Sequence, residues 1–246
     1  MSSSRTLGAR SGLTGVLASI VAWSLVVAAC APLPRTPDEP TQTLPPMTWP
    51  TGDRYAIDTT RSEFRVELTA EGPLARFGHP HVIGTQTITG QVVVPPRWQQ
   101  TAFQVAFDVD DVVVDPPRWR AEAGLEPNIP QDDIKATEAN MRSPAQLDAN
   151  AHPRVQLQSH AITGTRHAPE ITVDVAIAGQ VSQQTLPVKV HWGDGELIIS
   201  GQTTWRLTEL GIEPFSVFGG GLRVGDEMRL SVRLYAVAGS DQSTSD

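Results

Sequence analysis

From Tyr55 onward the chain alternates apolar and polar residues with a period of two, and no other feature constrains its fold as much. Phe64, Val66 and Leu68 share one face of an extended segment, with Arg65, Glu67 and Thr69 on the other. Ile88, Val92 and Val94 repeat the habit, followed by Phe103, Val105, Phe107 and Val109. The second half adds Val155 and Leu157, Ile171 to Ile177, Leu186 to Val190, Leu197 to Leu207 and Met228 to Val237. Gly193-Asp194-Gly195 supplies a tight turn between two of these runs, because hairpins need residues that tolerate positive φ. The pattern predicts an all-β, antiparallel chain of about eight strands, each with one apolar face. Such a sheet must close on itself or stack against another. Gln131 to Arg142 breaks the pattern with helix-forming residues and predicts one short helical connection, with Asp132 and Asp133 as its cap.

The amino terminus carries an address. Arg5 and Arg10 precede an apolar stretch from about Leu13 to Val27, which is short of the roughly 20 residues a spanning helix needs. Residues 1–29 therefore read as a signal peptide. Val27-Ala28-Ala29-Cys30 resembles the lipobox of bacterial lipoproteins, in which Cys30 becomes the lipidated amino terminus, carrying diacylglyceryl and an acyl chain such as palmitate. Two or more chains anchor a protein durably, where one holds it only reversibly. Residues 30–53 then form a lipidated Cys and a Pro-rich tether, residues 54–238 the folded domain, and 239–246 a disordered tail. The expected location is exported and membrane-anchored, facing the periplasm, with the outer membrane favoured if the cell is Gram-negative because Ala31 is not Asp.

Composition removes several functions. The chain holds 19 Lys and Arg against 27 Asp and Glu, for a net charge of −8, which argues against nucleic acid as a partner. One Cys excludes an internal disulfide and a thiolate zinc site. No Gly-x-Ser-x-Gly elbow occurs, and no catalytic residue is assigned. The acidic run Asp108, Asp110, Asp111 and Asp115 lacks the spacing of a calcium loop and reads as a solvated face. Gly219-Gly220-Gly221 precedes a strand and reads as a rim loop.

Particular residues resemble the YceI-like family of bacterial exported proteins. Tyr55-Ala56-Ile57-Asp58 with Ser62-Glu63-Phe64 is similar to that family's opening strand. Met141-Arg142-Ser143, Leu147-Asp148, Pro153, Val155, Leu157 and Ser159 match its central segment, and Gly211-Ile212 and Gly225-Asp226-Glu227-Met228 its carboxy-terminal loop and last strand. Phe77-Gly78-His79-Pro80-His81 is similar to a subset carrying Gly-His-x-His. The segment from Pro116 to Pro130 looks like an unusual insertion. The resemblance implies a single extended antiparallel barrel, lipocalin-like in shape. Its interior would bind a long isoprenoid lipid, such as a polyprenyl phosphate or a quinone tail, as carrier or store. No other cofactor is implied, and a homodimer is compatible with the chain.

The faces to turn on such a tail are Phe64, Val66 and Leu68; Phe103, Val105 and Phe107; Ile171, Val173 and Val175; and Met228, Leu230 and Val232. They either surround a ligand or pack on one another. His79 and His81, two residues apart on an extended segment, point to one side about 6.5 to 7 Å apart. They serve a turn, contact a lipid head group, or ligate a metal or haem. A barrel with no ligand, acting as an envelope adaptor, is the further alternative.

Overall fold

The computed structural model describes residues 41–239. The expected signal peptide, Cys30, the start of the expected tether and residues 240–246 lie outside the described residues. Twelve strands form one sheet. They are β1 (Asp53–Ile57), β2 (Glu63–Glu71), β3 (His81–Thr85), β4 (Thr89–Val94), β5 (Ala102–Asp108) and β6 (Val113–Val114). The rest are β7 (Arg154–Thr165), β8 (Ala168–Ile177), β9 (Gln180–Gly193), β10 (Glu196–Arg206), β11 (Ser216–Val217) and β12 (Leu222–Ala238). Every pairing is antiparallel.

The order β1-β4-β5-β7-β8-β9-β10-β12 closes when β12 pairs with β1 through Tyr55 with Ala238 and Ile57 with Ala236. This is a closed eight-stranded barrel, as expected. The extra strands continue its staves: β2 follows β1 along the same edge of β12, β3 pairs with β2, and β6 pairs with β3. Three of the eight walls are therefore long strands interrupted by a bend. At the break between β1 and β2 the edge of β12 would lose its partners. There the buried Ser62 hydroxyl accepts the Tyr235 amide at 3.1 Å, and the Asp58 amide donates to the Tyr235 carbonyl at 2.7 Å. Asp58 holds this bend by accepting from the Thr60 amide, the Thr60 hydroxyl and Arg61 Nε. Those bonds, the Thr60 hydroxyl first, lower its carboxyl to a pKa of about 2.

The alternation places its apolar face inward, where Val105, Phe107, Val173, Val175, Met228 and Leu230 are all buried in one core. Two corrections concern the connection between β6 and β7. It contains two helices, α1 (Pro117–Glu122) and α2 (Gln131–Arg142), where one was expected. Asp132 and Asp133 lie in the first turn of α2 but make no side-chain capping bond. The α1 helix packs on the outside of the sheet through the buried Trp119, whose Nε1 donates to Glu63 at 3.0 Å. Gly84 permits this approach, since a Cβ there would stand 3.1 Å from the Trp119 ring.

The tether expectation is also corrected for residues 41–52. Gln42 donates its amide to the Gly179 carbonyl at 2.8 Å and accepts from the Val181 amide at 3.2 Å, at the β8–β9 turn. Gly52 sits against the Val94 carbonyl at the opposite end of the barrel, so close that a Cβ would be 2.3 Å away. The segment therefore joins the β8–β9 turn to the far end of β4, with β7 and β5 between them in the sheet. On the strands between those points, Asp174, Gln158, Ala102 and Val93, which do not line the lumen, are buried. It is a strap on the barrel, not a free spacer. Gly239, expected in the tail, still donates its amide to the Arg54 carbonyl at 3.2 Å.

Candidate functional site: a divided apolar lumen

Two cavities stack inside the barrel. The lower, about 110 Å³, lies toward the end closed by the turns at 166–167 and 194–195, and its floor includes Trp98 and Trp192. The upper, about 280 Å³, lies under α2 and the loops at 72–80 and 207–221. Phe64, Phe107 and Leu157 line both, so they form a waist between them. The two rings stand 5.2 Å apart between centroids, tilted by 39°.

All twelve residues selected from the alternation face one or other cavity. Phe103, Val105, Ile171, Val173, Leu230 and Val232 line the lower one, and Val66, Leu68, Val175 and Met228 the upper one. Phe64 and Phe107 touch both. The alternative left open by the sequence, side chains packing on one another without space, does not hold. An apolar cavity of about 150 Å³ accommodates a six-carbon ring, and on that scale the two chambers take about three five-carbon units.

His79 and His81 both line the upper chamber but turn to different partners. His79 Nε2 lies 3.7 Å from Asp133, with both side chains half exposed. His81 Nδ1 is 2.6 Å from Asp115 Oδ2. Asp115 is a correction: expected on a solvated face, it is 1% exposed, whereas Asp108, Asp110 and Asp111 are exposed. Its Oδ1 accepts from the Val82 amide at 2.9 Å and from Arg120 Nη1 at 2.6 Å. Burial pushes its carboxyl up, but the bonds from His81, Val82 and Arg120 outweigh that and hold it below the usual carboxylate range. Arg120, 2% exposed, also donates to the carbonyls of Pro80 and Glu126 at 2.7 and 2.6 Å. Asp115 and Arg120 thus form a buried ion pair that fixes the His81 ring. With Asp115 ionised, Nδ1 is the donor, which leaves Nε2 as an acceptor for a hydroxyl or, once protonated, a donor to a carbonyl.

Sequence reasoning missed Asp115 and Arg120. Asp115 has φ +53° and leaves the strand phase, so its neighbours' alternation misplaces it. The signal that could have found α1 was Pro116-Pro117 ahead of Arg-Trp-Arg-Ala-Glu, since Pro favours the first helical position. His160, expected on an outward face, lies on the outer surface near Asp174 and Gln183. Among the described residues, no three His, Cys, Asp or Glu side chains converge as a metal site.

An eight-stranded antiparallel barrel with an apolar, ligand-sized lumen and one fixed imidazole at its wider end has the architecture of barrels that hold one small ligand. Residues 55–236 match the YceI-like domain, and the chain belongs to the YceI-like family. BcnA of Burkholderia cenocepacia is similar in structure, with a TM-score of 0.56, 16% identity and coverage of 74% of this chain and 99% of that one. The YceI protein of Campylobacter jejuni aligns with a TM-score of 0.48 and 9% identity over 64% of this chain and 85% of that one. No curated protein sequence matches the chain.

Proposed function

We propose that this chain is an exported envelope lipoprotein, held by acyl groups on Cys30, whose barrel carries or stores an isoprenoid lipid with an uncharged head. The observation that supports the tail is the divided lumen, whose walls are almost wholly apolar. Each isoprene unit moved from water into such a slot offers about 4 kcal/mol before ordering costs. The head is argued from charge. Of the described residues lining the upper chamber, only Arg223 carries a fixed charge, and Glu71 already pairs with it at 3.0 Å. A phosphate or diphosphate would be buried there without a free cation, whereas a quinone oxygen or a prenol hydroxyl needs only His81 and neighbouring amides and hydroxyls such as Asn140 and Thr137. The reading is of a binding protein, not an enzyme.

Native mass spectrometry of the purified protein, followed by organic extraction and titration with a quinone and a polyprenyl phosphate of equal tail length, tests this. A co-purified or tightly titrating quinone supports the reading. Preference for the phosphate overturns the uncharged head, and failure of both to bind overturns the lipid carrier.

A further inference from the structure

Among the described large apolar side chains, Phe77 is 64% exposed and Phe218 is 77% exposed, and they belong to neighbouring loops. The Leu74 amide donates to the Gly221 carbonyl at 2.9 Å, and a Cβ on Gly72 would stand 2.7 Å from the same oxygen. The two loops therefore form one rim. Phe218 has φ +53°, a costly conformation for a bulky residue, and Gly219 and Gly220 continue it with positive φ. Its carbonyl accepts from the Gly221 amide at 3.2 Å and closes the turn that leaves the ring at the surface. Arg76 stacks 4.5 Å over Phe77, placing a cation beside the aromatic pair. Gly78, Val217 and Leu222, from the same loops, line the upper chamber.

The strap brings a second, independent observation to the same end. Gln42 is pinned at the β8–β9 turn, and Gln180 of that turn is packed against Gly211 in the 207–221 loop. Without the strap, the chain ahead of Asp53 would leave from the opposite end. With it, Cys30 is separated from the mouth end by a chain reaching about 40 Å at most. We propose that Phe77 and Phe218 enter the interface of the membrane that holds Cys30, so that the chamber opens toward the bilayer and a lipid tail passes in without crossing water. The occupant is a lipid surface: exposed apolar rings with Arg76 beside one of them suit the headgroup boundary, and the anchoring line ends on their side. This rests on the lipid-carrier reading and on acylation of Cys30.

The test is hydrogen exchange by mass spectrometry on the full mature protein with vesicles of phosphatidylcholine and phosphatidylglycerol. Flotation reads the anchor separately; if the protein does not float, Cys30 is coupled to a maleimide lipid in the same vesicles and the measurement repeated. The expected result is exchange on the order of tenfold slower at 74–78 and 216–221, with no change at the 166–167 and 194–195 turns, and loss of that protection in F77S/F218S. Equal protection at both ends, or protection only at the turns, overturns the proposal. So does a tethered protein with no protection anywhere, which would assign the rim to a partner protein.

Discussion

The two chambers are lined by the same alternating strands yet differ in every functional respect. The lower is small and apolar and lies under short turns, where Trp192 donates to the Arg166 carbonyl at 3.0 Å and Arg166 stacks 4.2 Å over its ring. The upper is larger, sits beneath the long connections and meets the buried Asp115–Arg120 pair only through the His81 ring in its wall. Strand periodicity builds a lumen with no preferred end. Connection length gives it polarity, because short turns add little chain over one end, whereas long ones carry helices and fixed polar groups over the other.

The strongest way to break this contrast is to remove its divider. Phe107→Ala should cost about 3–5 kcal/mol in chemical denaturation and merge the chambers, so that the tails extracted become longer. A cost under about 1 kcal/mol would mean the waist is not packed. Asp115→Asn attacks the upper chamber alone. Asn tolerates positive φ, so the change isolates the charge, and stranding Arg120 should cost about 3 kcal/mol. The pH dependence has a fixed sign. The folded carboxyl titrates below its unfolded value of about 3.9, so its stabilisation is present above that pH and is lost as pH falls through the lowered value. The gap between wild type and Asp115→Asn should therefore shrink in acid unfolding curves below about pH 4; a constant gap would exclude the ion pair as its cause.

Ligand measurements sharpen the comparison further. His81→Leu should weaken a headed quinone about tenfold by calorimetry and leave a headless hydrocarbon tail unchanged; an equal loss for both would reduce His81 to a wall. Val190→Phe, in the lower chamber, should discriminate by length, costing long tails about tenfold and short ones nothing. The smallest effect is expected at the strap, where Gln42→Ala should lower stability by about 1 kcal/mol and speed amide exchange over 41–52.

The barrel was legible because alternation is a local property: Phe64, Val105 and Val173 announce their face through their immediate neighbours. The charge network was not. Asp115 acquires its role from His81 and Arg120, one of them 34 residues away, and its left-handed backbone removes it from the strand's rhythm. The strap escaped for a related reason. Proline-rich chain looks alike whether it is solvated or lies on a wall, and only Gln42 and Gly52, by what they meet across the fold, distinguish the two.

The strap also has a mechanical meaning. A pull on the chain ahead of Thr41 loads the Gln42 bonds at the β8–β9 turn before any load falls on β1. Once detached, residues 41–52 add roughly 35 Å of slack. Breaking the Gln42 bonds thus lengthens the line and moves the load to the far end of the barrel, at Gly52.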